Sequence, residues 1–178
     1  GALGVEACDA AERYGLGLPM LDPEMTEAIL EFLPRPGSSA RNPIDAANPF
    51  VDPRAYREVF TLAAQDPRID VQILIQLLHH YKSLSSGMGL ESPKEITPYR
   101  ELAGVISEVA AETGKPLVLV MPDFKQGRES MDIEEVIREA RQAFLDKGVP
   151  VFDDLNSCLR ALGHVSRYYA RRRSRERL

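Results

Sequence analysis

Apolar residues along the chain recur either at the spacing of helices or in the continuous runs of buried strands. In residues 4–14 apolar side chains return every third position, at Val5, Cys8 and Ala11, which predicts an amphipathic helix that Gly15 ends. The run DVQILIQLL, residues 70–78, has too few polar positions for a strand with one face in water. It therefore predicts a central parallel strand that is covered on both faces.

The remaining segments continue this alternation of helices and strands. The turn pairs Asp22-Pro23 and Asp52-Pro53 are typical of helix starts, and Asp154 marks the start of the last helix. The pattern predicts further helices at 23–33, 53–65, 98–114, 131–148 and from 154, and strands at 16–21, 116–121 and 149–153. Alternation of this kind is typical of a parallel α/β sheet.

A flavodoxin-like, doubly wound parallel sheet of three layers, with strand order 2-1-3-4-5, fits this element order best. It requires one more strand ahead of Gly1, so we expect the first strand to be missing from the N-terminus. One domain is expected over residues 1–170, followed by a basic, frayed tail or linker over 171–178. The stretch 34–52 has no periodicity, and the glycine- and serine-rich stretch 82–96 predicts a mobile loop.

Composition narrows the class of protein. The chain has 178 residues, 44% of them hydrophobic, which is enough for one sizeable core. A net charge of −5 argues against a dedicated nucleic-acid binder, because phosphate contact needs a basic field. Cys8 and Cys158 do not form a disulfide framework, and no apolar run reaches membrane-spanning length. We therefore expect a soluble, cytoplasmic protein.

The first candidate site is the glycine turn Gly1, Ala2, Leu3 and Gly4 at the start of the first helix. A helix start offers N–H groups without a partner and the positive end of a dipole, where glycine lets an anion come close. The same glycines also fit a tight turn that binds no ligand. The turn matches neither a dinucleotide-binding nor a Walker pattern.

The tetrapeptide Asn42-Pro43-Ile44-Asp45 is a second candidate, in a loop that the topology brings towards the same edge of the sheet. Its amide and carboxylate can bind a ligand, or they can brace the loop through local hydrogen bonds. The residues alone leave both interpretations open.

Histidines are the third candidate. His79 and His80 follow the central strand, where they suggest a phosphoryl acceptor or metal ligands. Adjacent strand residues point to opposite faces, so the two rings are not expected to share one metal, and a structural role is favoured. His164, on the last helix, is also expected to be structural, and no self-sufficient active site is visible.

In their order along the chain, several segments resemble the CoA-ligase, flavodoxin-like domain of the nucleoside-diphosphate-forming (ADP-forming) acyl-CoA synthetases, relatives of the succinyl-CoA synthetases. The segments are GALGVEACDAAERYG, NPIDAANP, KPLVLVM and GVPVFDDLNSCLRALGHVSRYYARR. The most specific are NPID and the terminal GVPVF-to-RALGHVSRYY pattern.

The resemblance implies an acid–CoA ligase that converts acyl-CoA, ADP and phosphate into acid, CoA and ATP through a phosphohistidine. It places Gly1, Ala2, Leu3 and Gly4 at a helix N-terminus that stabilises the phosphohistidine, with Asn42 and Asp45 in a loop near that site. No catalytic side chain and no metal ligand fall in this chain, and no cofactor is expected in this domain. CoA, ATP or ADP and Mg are expected for the full enzyme.

The implied partners are a CoA-binding domain, a domain bearing the phosphohistidine and an ATP-grasp domain, in the same chain or in a partner subunit. Nucleic acid and membranes are not expected as partners, and the isolated fragment is expected to be inactive. Two alternatives stay open: a non-catalytic regulatory or scaffold relative fused to a module such as an acyltransferase, and a free-standing receiver or flavin module.

Overall fold

The computed structural model describes residues 1–48, 51–96, 98–124 and 127–175. Within these ranges the helices are α1 (Ala2–Tyr14), α2 (Pro23–Leu30), α3 (Pro53–Ala63), α4 (His80–Gly87), α5 (Tyr99–Thr113), α6 (Met131–Asp146) and α7 (Leu155–Arg175). The strands are β1 (Gln72–Ile75), β2 (Leu117–Val120) and β3 (Val151–Phe152). Short 3₁₀ turns cover Pro93–Glu95 and Arg128–Ser130.

The three strands form one parallel sheet in the order β1-β2-β3. β1 pairs with β2 from Gln72↔Leu117 to Ile75↔Val120, and β2 pairs with β3 through Leu119↔Val151. Neighbouring strands are thus consecutive in the chain and joined by helical crossovers, as the predicted positions 3, 4 and 5 of a flavodoxin-like sheet require. The flavodoxin-like α/β fold class is confirmed.

Helices cover both faces of the sheet, which explains why β2, its middle strand, carries no polar residue. The central strand expected at residues 70–78 is shorter and differently placed: β1 covers only Gln72–Ile75 and lies at one edge of the described sheet. Leu117 and Leu119 of β2 point to one face, where they pack with residues of α5 and α6. Val118 and Val120 point to the other face and pack with α1 and α7. This alternation along one strand produces the expected three layers.

A third apolar cluster lies beside the sheet and holds the segments between α1 and β1. Ile29 of α2, Val59 of α3 and Ala40 of the intervening loop are buried together. Ile44, within the NPID tetrapeptide, packs against this cluster. The loop that was expected to lack regular structure is therefore anchored to the core on its apolar side.

The predicted caps of α3 and α7 are present. The Asp52 side chain accepts a hydrogen bond from the Arg54 N–H at 2.7 Å, and Asp154 accepts one from the Ser157 N–H at 2.7 Å. Asp22 is the N-cap of α2, although its side chain makes no capping hydrogen bond. Asp52 and Asp154 thus accept hydrogen bonds from N–H groups that a helix start leaves without partners, and Asp22 lies at the same position of its helix.

The prediction of a strand at residues 16–21 is wrong: this segment is not part of the sheet. In the order 2-1-3-4-5 the second strand pairs only with the first, and none of the three described strands is that neighbour. Residues 16–21 connect α1 to α2, and the described sheet has three strands instead of the expected five.

The mobile loop predicted at 82–96 is also wrong. α4 occupies His80–Gly87 and a capped 3₁₀ turn occupies Pro93–Glu95. Tyr81 and Ser85 of α4 are buried, and Lys82 Nζ lies 2.8 Å from Asp132 Oδ1 of α6. These tertiary contacts hold a helix that the serine-rich sequence does not favour.

The basic C-terminal stretch is more ordered than expected. α7 continues to Arg175, so residues 171–175 are helical instead of frayed. Residues 176–178 of the predicted tail lie outside the described residues, as does Thr97, the residue before the helix predicted at 98–114.

Candidate functional site

The N-terminus of α1 carries the predicted phosphate-binding residues. Gly1 is the N-cap, and the helix begins at Ala2. The Gly4 N–H donates to the Gly1 carbonyl at 3.0 Å, so it is already engaged within the turn. Ala2 and Leu3 occupy the first two helical positions, where the N–H has no carbonyl acceptor inside the helix. The donors that this turn offers to an anion are therefore those of Ala2 and Leu3.

A carboxylate stands beside this turn. Asp45 Oδ2 accepts a hydrogen bond from the Gly1 nitrogen, and Oδ1 accepts one from the Ala47 N–H at 2.9 Å. The Asp45 carboxylate therefore lies at the positive end of the α1 dipole, where a negative charge is stabilised.

The rest of the NPID loop is held by hydrogen bonds. Asn42 Nδ2 donates to the Pro19 carbonyl at 3.1 Å, and Ser39 and Asp45 form an isolated antiparallel bridge. A Cβ built on Gly4 would lie 3.7 Å from Pro43 Cβ, so the loop lies against the first turn of α1. The structure therefore brings the two candidate segments together. Both Asn42 and Asp45 make the contacts expected of a loop brace, while their relation to a ligand stays a prediction.

The carboxyl end of β1 contains a polar group that the sequence analysis did not single out. Gln76 is buried, and its Nε2 donates to the Tyr56 hydroxyl of α3 at 3.0 Å. Burial raises the pKa of Tyr56 and of nearby Tyr81 above the usual range of tyrosine. Both phenols stay protonated at neutral pH, so they serve as hydrogen-bonding groups and not as bases. Nothing local in the sequence marks the Tyr56 hydroxyl as buried, so the sequence alone does not point to this pair.

These groups line a small pocket of about 20 Å³, enough for one water molecule. An open cleft of about 490 Å³ adjoins it at the start of α3, between Asp52, Arg54 and Glu101. The cleft contains charges of both signs, and the α3 amides beneath it are already capped by Asp52. Neither space resembles a preformed anion site.

His79 and His80 do not point to opposite faces of a strand, as was expected. β1 ends at Ile75 and α4 begins at His80, so the two histidines follow helical rather than strand geometry. Their ring centroids are 4.2 Å apart, and the His79 ring also meets Phe124 edge-on at 5.4 Å. No group of three or more His, Cys, Asp or Glu side chains suited to a metal ion occurs among the described residues.

His164 lies on the exposed part of α7, 3.3 Å from an Arg167 guanidinium nitrogen. Arg167 also donates to the Tyr14 carbonyl at 3.1 Å. These contacts fit the structural role expected for His164, at the place where α7 crosses the end of α1.

Solved structures share this fold. The chain matches PH0766 from Pyrococcus horikoshii OT3 with a TM-score of 0.66 and 23% identity, over 92% of this chain and 32% of that one. It matches the apo form of the dinucleotide-forming acetyl-coenzyme A synthetase 1 of Ca. Korarchaeum cryptofilum with a TM-score of 0.66 and 23% identity. That match covers 97% of this chain and 32% of the synthetase chain.

The chain has the fold of one part of an acetyl-coenzyme A synthetase. It spans about a third of the length of each of these two structures. No protein-family model matches the sequence, and no curated protein does. The resemblance drawn from the residues is therefore supported at the level of the fold. Among the described residues, no helix has the length and apolar character to cross a membrane.

Proposed function

We propose that this chain is a domain of a nucleoside-diphosphate-forming acyl-CoA synthetase, in which the N-terminus of α1 stabilises a phosphohistidine. The observation that carries the proposal is the shared fold, which extends over 97% of this chain in an acetyl-coenzyme A synthetase. The order of GALG, NPID and RALGHVSRYY along the chain, typical of that family's CoA-ligase domain, supports it independently.

Gly1, Ala2, Leu3 and Gly4 form the proposed phosphate-facing turn. A phosphoryl group with two negative charges is stabilised by N–H groups without partners and by the helix dipole, without any local lysine. Because Gly4 is bonded to Gly1, the phosphoryl oxygens would be received by the Ala2 and Leu3 amides. Glycine at the first and fourth positions keeps side chains away from that approach.

The remaining chemistry is assigned to other domains. CoA, ATP or ADP and Mg would be bound by a CoA-binding domain, a phosphohistidine-bearing domain and an ATP-grasp domain, fused or in a partner subunit. The described residues contain no cluster of side chains suited to hold a metal ion, so Mg is assigned to the other domains. No side chain here is assigned a catalytic role, and the isolated chain is expected to show no turnover.

The test is an assay of the complete polypeptide that contains this chain, together with any companion subunit. Cleavage of a panel of acyl-CoAs should require both ADP and inorganic phosphate, and a phosphohistidine should be trapped when the nucleotide is withheld. A complete protein without a phosphorylatable histidine loop and without a nucleotide-binding module, fused or associated, would refute the proposal.

A second candidate is the non-catalytic relative, a regulatory or scaffold domain that kept the fold. One observation favours it: the Asp45 carboxylate already supplies an anion at the α1 N-terminus. If the amides of Ala2 and Leu3 fail to respond to inorganic phosphate while the fold is intact, this second reading replaces the first.

A further inference from the structure

The last helix projects past the body of the domain. From His164 to Arg175 every residue of α7 is exposed, and we call this segment the α7 arm. Three large side chains of the arm have more than half of their surface in solvent: Val165 at 52%, Tyr168 at 62% and Tyr169 at 52%. Val165 and Tyr169 continue the apolar stripe of Leu159 and Leu162, which pack against the sheet, while Tyr168 is turned about 100° from Tyr169 around the helix. Among the described residues, these exposed side chains are not covered by another element of the chain.

The arm is also strongly basic in an acidic protein. α7 contains six arginines and no aspartate or glutamate, whereas the whole chain has a net charge of −5. Arg171 and Arg175 stand four residues apart, so their like charges face each other along the helix, and α7 itself contains no acidic residue to offset them. Such spacing destabilises a helix slightly unless an opposite charge lies close.

α2 carries the complementary arrangement. Glu24, Glu27 and Glu31 lie on one exposed stripe, which we call the α2 acidic face. Within the described residues none of these three carboxylates forms an ion pair, and Glu27 and Glu31 repeat the like-charge spacing of four residues. The exposed side chain of Phe32 follows directly after them.

We propose that the α7 arm docks on the α2 acidic face of a second copy of this chain. The spacing of four residues in each charged pair lets antiparallel helices place Arg171 against Glu31 and Arg175 against Glu27. The same alignment brings Tyr168 towards Phe32, so apolar contact joins the charge pairing. Within one copy α7 packs on α1 and β3 while α2 packs on α3, which leaves both surfaces available to another molecule.

The pairing is expected to be weak and dependent on salt. A short helical contact buries less area than stable interfaces, and exposed charge pairs are screened by ions. Sedimentation velocity of the 178-residue chain should therefore show concentration-dependent self-association in 50 mM NaCl that is reduced about tenfold or more in 500 mM NaCl. This inference does not depend on the proposed function, since it concerns a surface away from the phosphate-facing turn.

Charge-reversal variants make the test specific. The double variant Arg171→Glu/Arg175→Glu should lose self-association by about tenfold or more, and so should Glu27→Arg/Glu31→Arg. Mixing the two variants should restore association, because the acidic arm of the first variant can then pair with the basic α2 of the second. If the arm variant failed only because α7 frays, mixing would not restore association. Arg100→Glu/Arg138→Glu, which reverses two exposed arginines elsewhere, should associate like the parent chain.

Three outcomes would overturn the proposal. The first is a monomer at every concentration and salt, and the second is self-association that the arm variant does not reduce. The third is a mixture of the two reversed variants that stays monomeric. Binding of a single-stranded RNA probe by the arm without any self-association would instead assign the arm to nucleic acid.

Discussion

Gly163 of α7 lies directly against the carbonyl oxygen of Tyr14, the last residue of α1. A Cβ built on Gly163 would stand 2.8 Å from that oxygen and 3.0 Å from Tyr14 Cβ. The absence of a side chain at this one position lets α7 cross the end of α1 closely. The crossing is reinforced where the Tyr14 hydroxyl donates to Asn156 Oδ1 at 2.7 Å.

Gly163→Ala is therefore expected to destabilise the fold, although alanine is the better helix former. The gain in helix propensity is at most about 1 kcal/mol, while forcing a methyl against backbone typically costs about 1–3 kcal/mol. We expect a net loss of about 1 kcal/mol in the free energy of unfolding, measured by urea denaturation followed by circular dichroism.

Gly104→Ala is the matched control, because Gly104 lies within α5 and a Cβ there would meet nothing within 4 Å. This variant should gain about 0.5–1 kcal/mol in the same experiment. Equal stabilisation by both substitutions would show that α7 and α1 do not touch at Gly163.

Asp66 is expected to make stability depend on acid pH. Its carboxylate is only 3% exposed and accepts hydrogen bonds from Arg68, which lower its pKa from the usual range of aspartate to about 2. A pKa that is lower in the folded state stabilises the protein above the unfolded value and loses that effect as pH falls towards the folded value. The stabilisation that the ionised Asp66 provides should thus be complete above about pH 5 and disappear between pH 4 and pH 2.

The variant Asp66→Asn tests whether the Asp66 carboxylate causes this dependence of stability on pH. Its melting temperature should lie several degrees below that of the parent chain at pH 7, because Arg68 keeps only its more distant ion pair with Asp22 at 3.5 Å. The gap should narrow progressively below pH 4, where the parent carboxylate becomes protonated. Asp9→Asn, a change at an exposed carboxylate, should leave the melting curve nearly unchanged at every pH. A gap that stays constant down to pH 2 would contradict the assigned cause.

The two cysteines should differ sharply in reactivity. Cys158 is fully buried in the α1–α7 cluster, and burial raises the pKa of its thiol to about 12, whereas Cys8 is partly exposed. Because the thiolate is the reactive form, a thiol reagent at pH 8 should modify one cysteine rapidly in the folded chain. Cys8→Ser should abolish that rapid phase and Cys158→Ser should preserve it. A rapid phase that survives in Cys8→Ser would mean that the helix pair opens readily.

Local chemistry accounts for the parts of the fold that the sequence predicted. Asp52 and Asp154 form helix caps with their own neighbours two and three residues on, so a short window contains the whole interaction. The same holds for β2, because its continuous apolar run predicts a buried strand without knowledge of the neighbouring strands. Elements set by such local contacts were predicted with only small errors in their bounds.

The errors arose where distant residues decide the structure. α4 contains three serines and is held by contacts such as that of Lys82 with Asp132, 50 residues away. The strand expected at 16–21 needs a neighbouring strand, which no local pattern can supply. The contact between Gly1 and Asp45 spans 44 residues, so the carboxylate at the candidate site was assigned only to a nearby loop.

That carboxylate should weaken phosphate binding at the α1 N-terminus. Two unit charges about 4 Å apart in water repel by about 1 kcal/mol, which corresponds to about fivefold in affinity. Asp45→Asn is therefore expected to bind inorganic phosphate severalfold more tightly, as followed by the amide shifts of Ala2 and Leu3 in NMR titrations at pH 7. Asn42→Ala changes the same loop without altering charge and should not improve binding. Weaker binding by Asp45→Asn would show that the brace, and not repulsion, governs the turn.

Gly4→Ala separates a phosphate-facing turn from a turn that merely starts a helix. A Cβ at Gly4 would meet Pro43 at 3.7 Å, an ordinary van der Waals contact, so the fold accepts alanine and α1 should gain helix propensity. If Gly4 is needed only to form the turn, Gly4→Ala should not change the affinity for phosphate. If phosphate approaches the first turn of α1, the added methyl obstructs it, and phosphate affinity should fall about tenfold while the melting temperature holds or rises. Gly17→Ala, at a position open on all sides, should leave phosphate binding unchanged. If Gly4→Ala keeps full affinity for phosphate, Gly4 is not part of the site, and the Ala2 and Leu3 amides are the remaining donors for the anion.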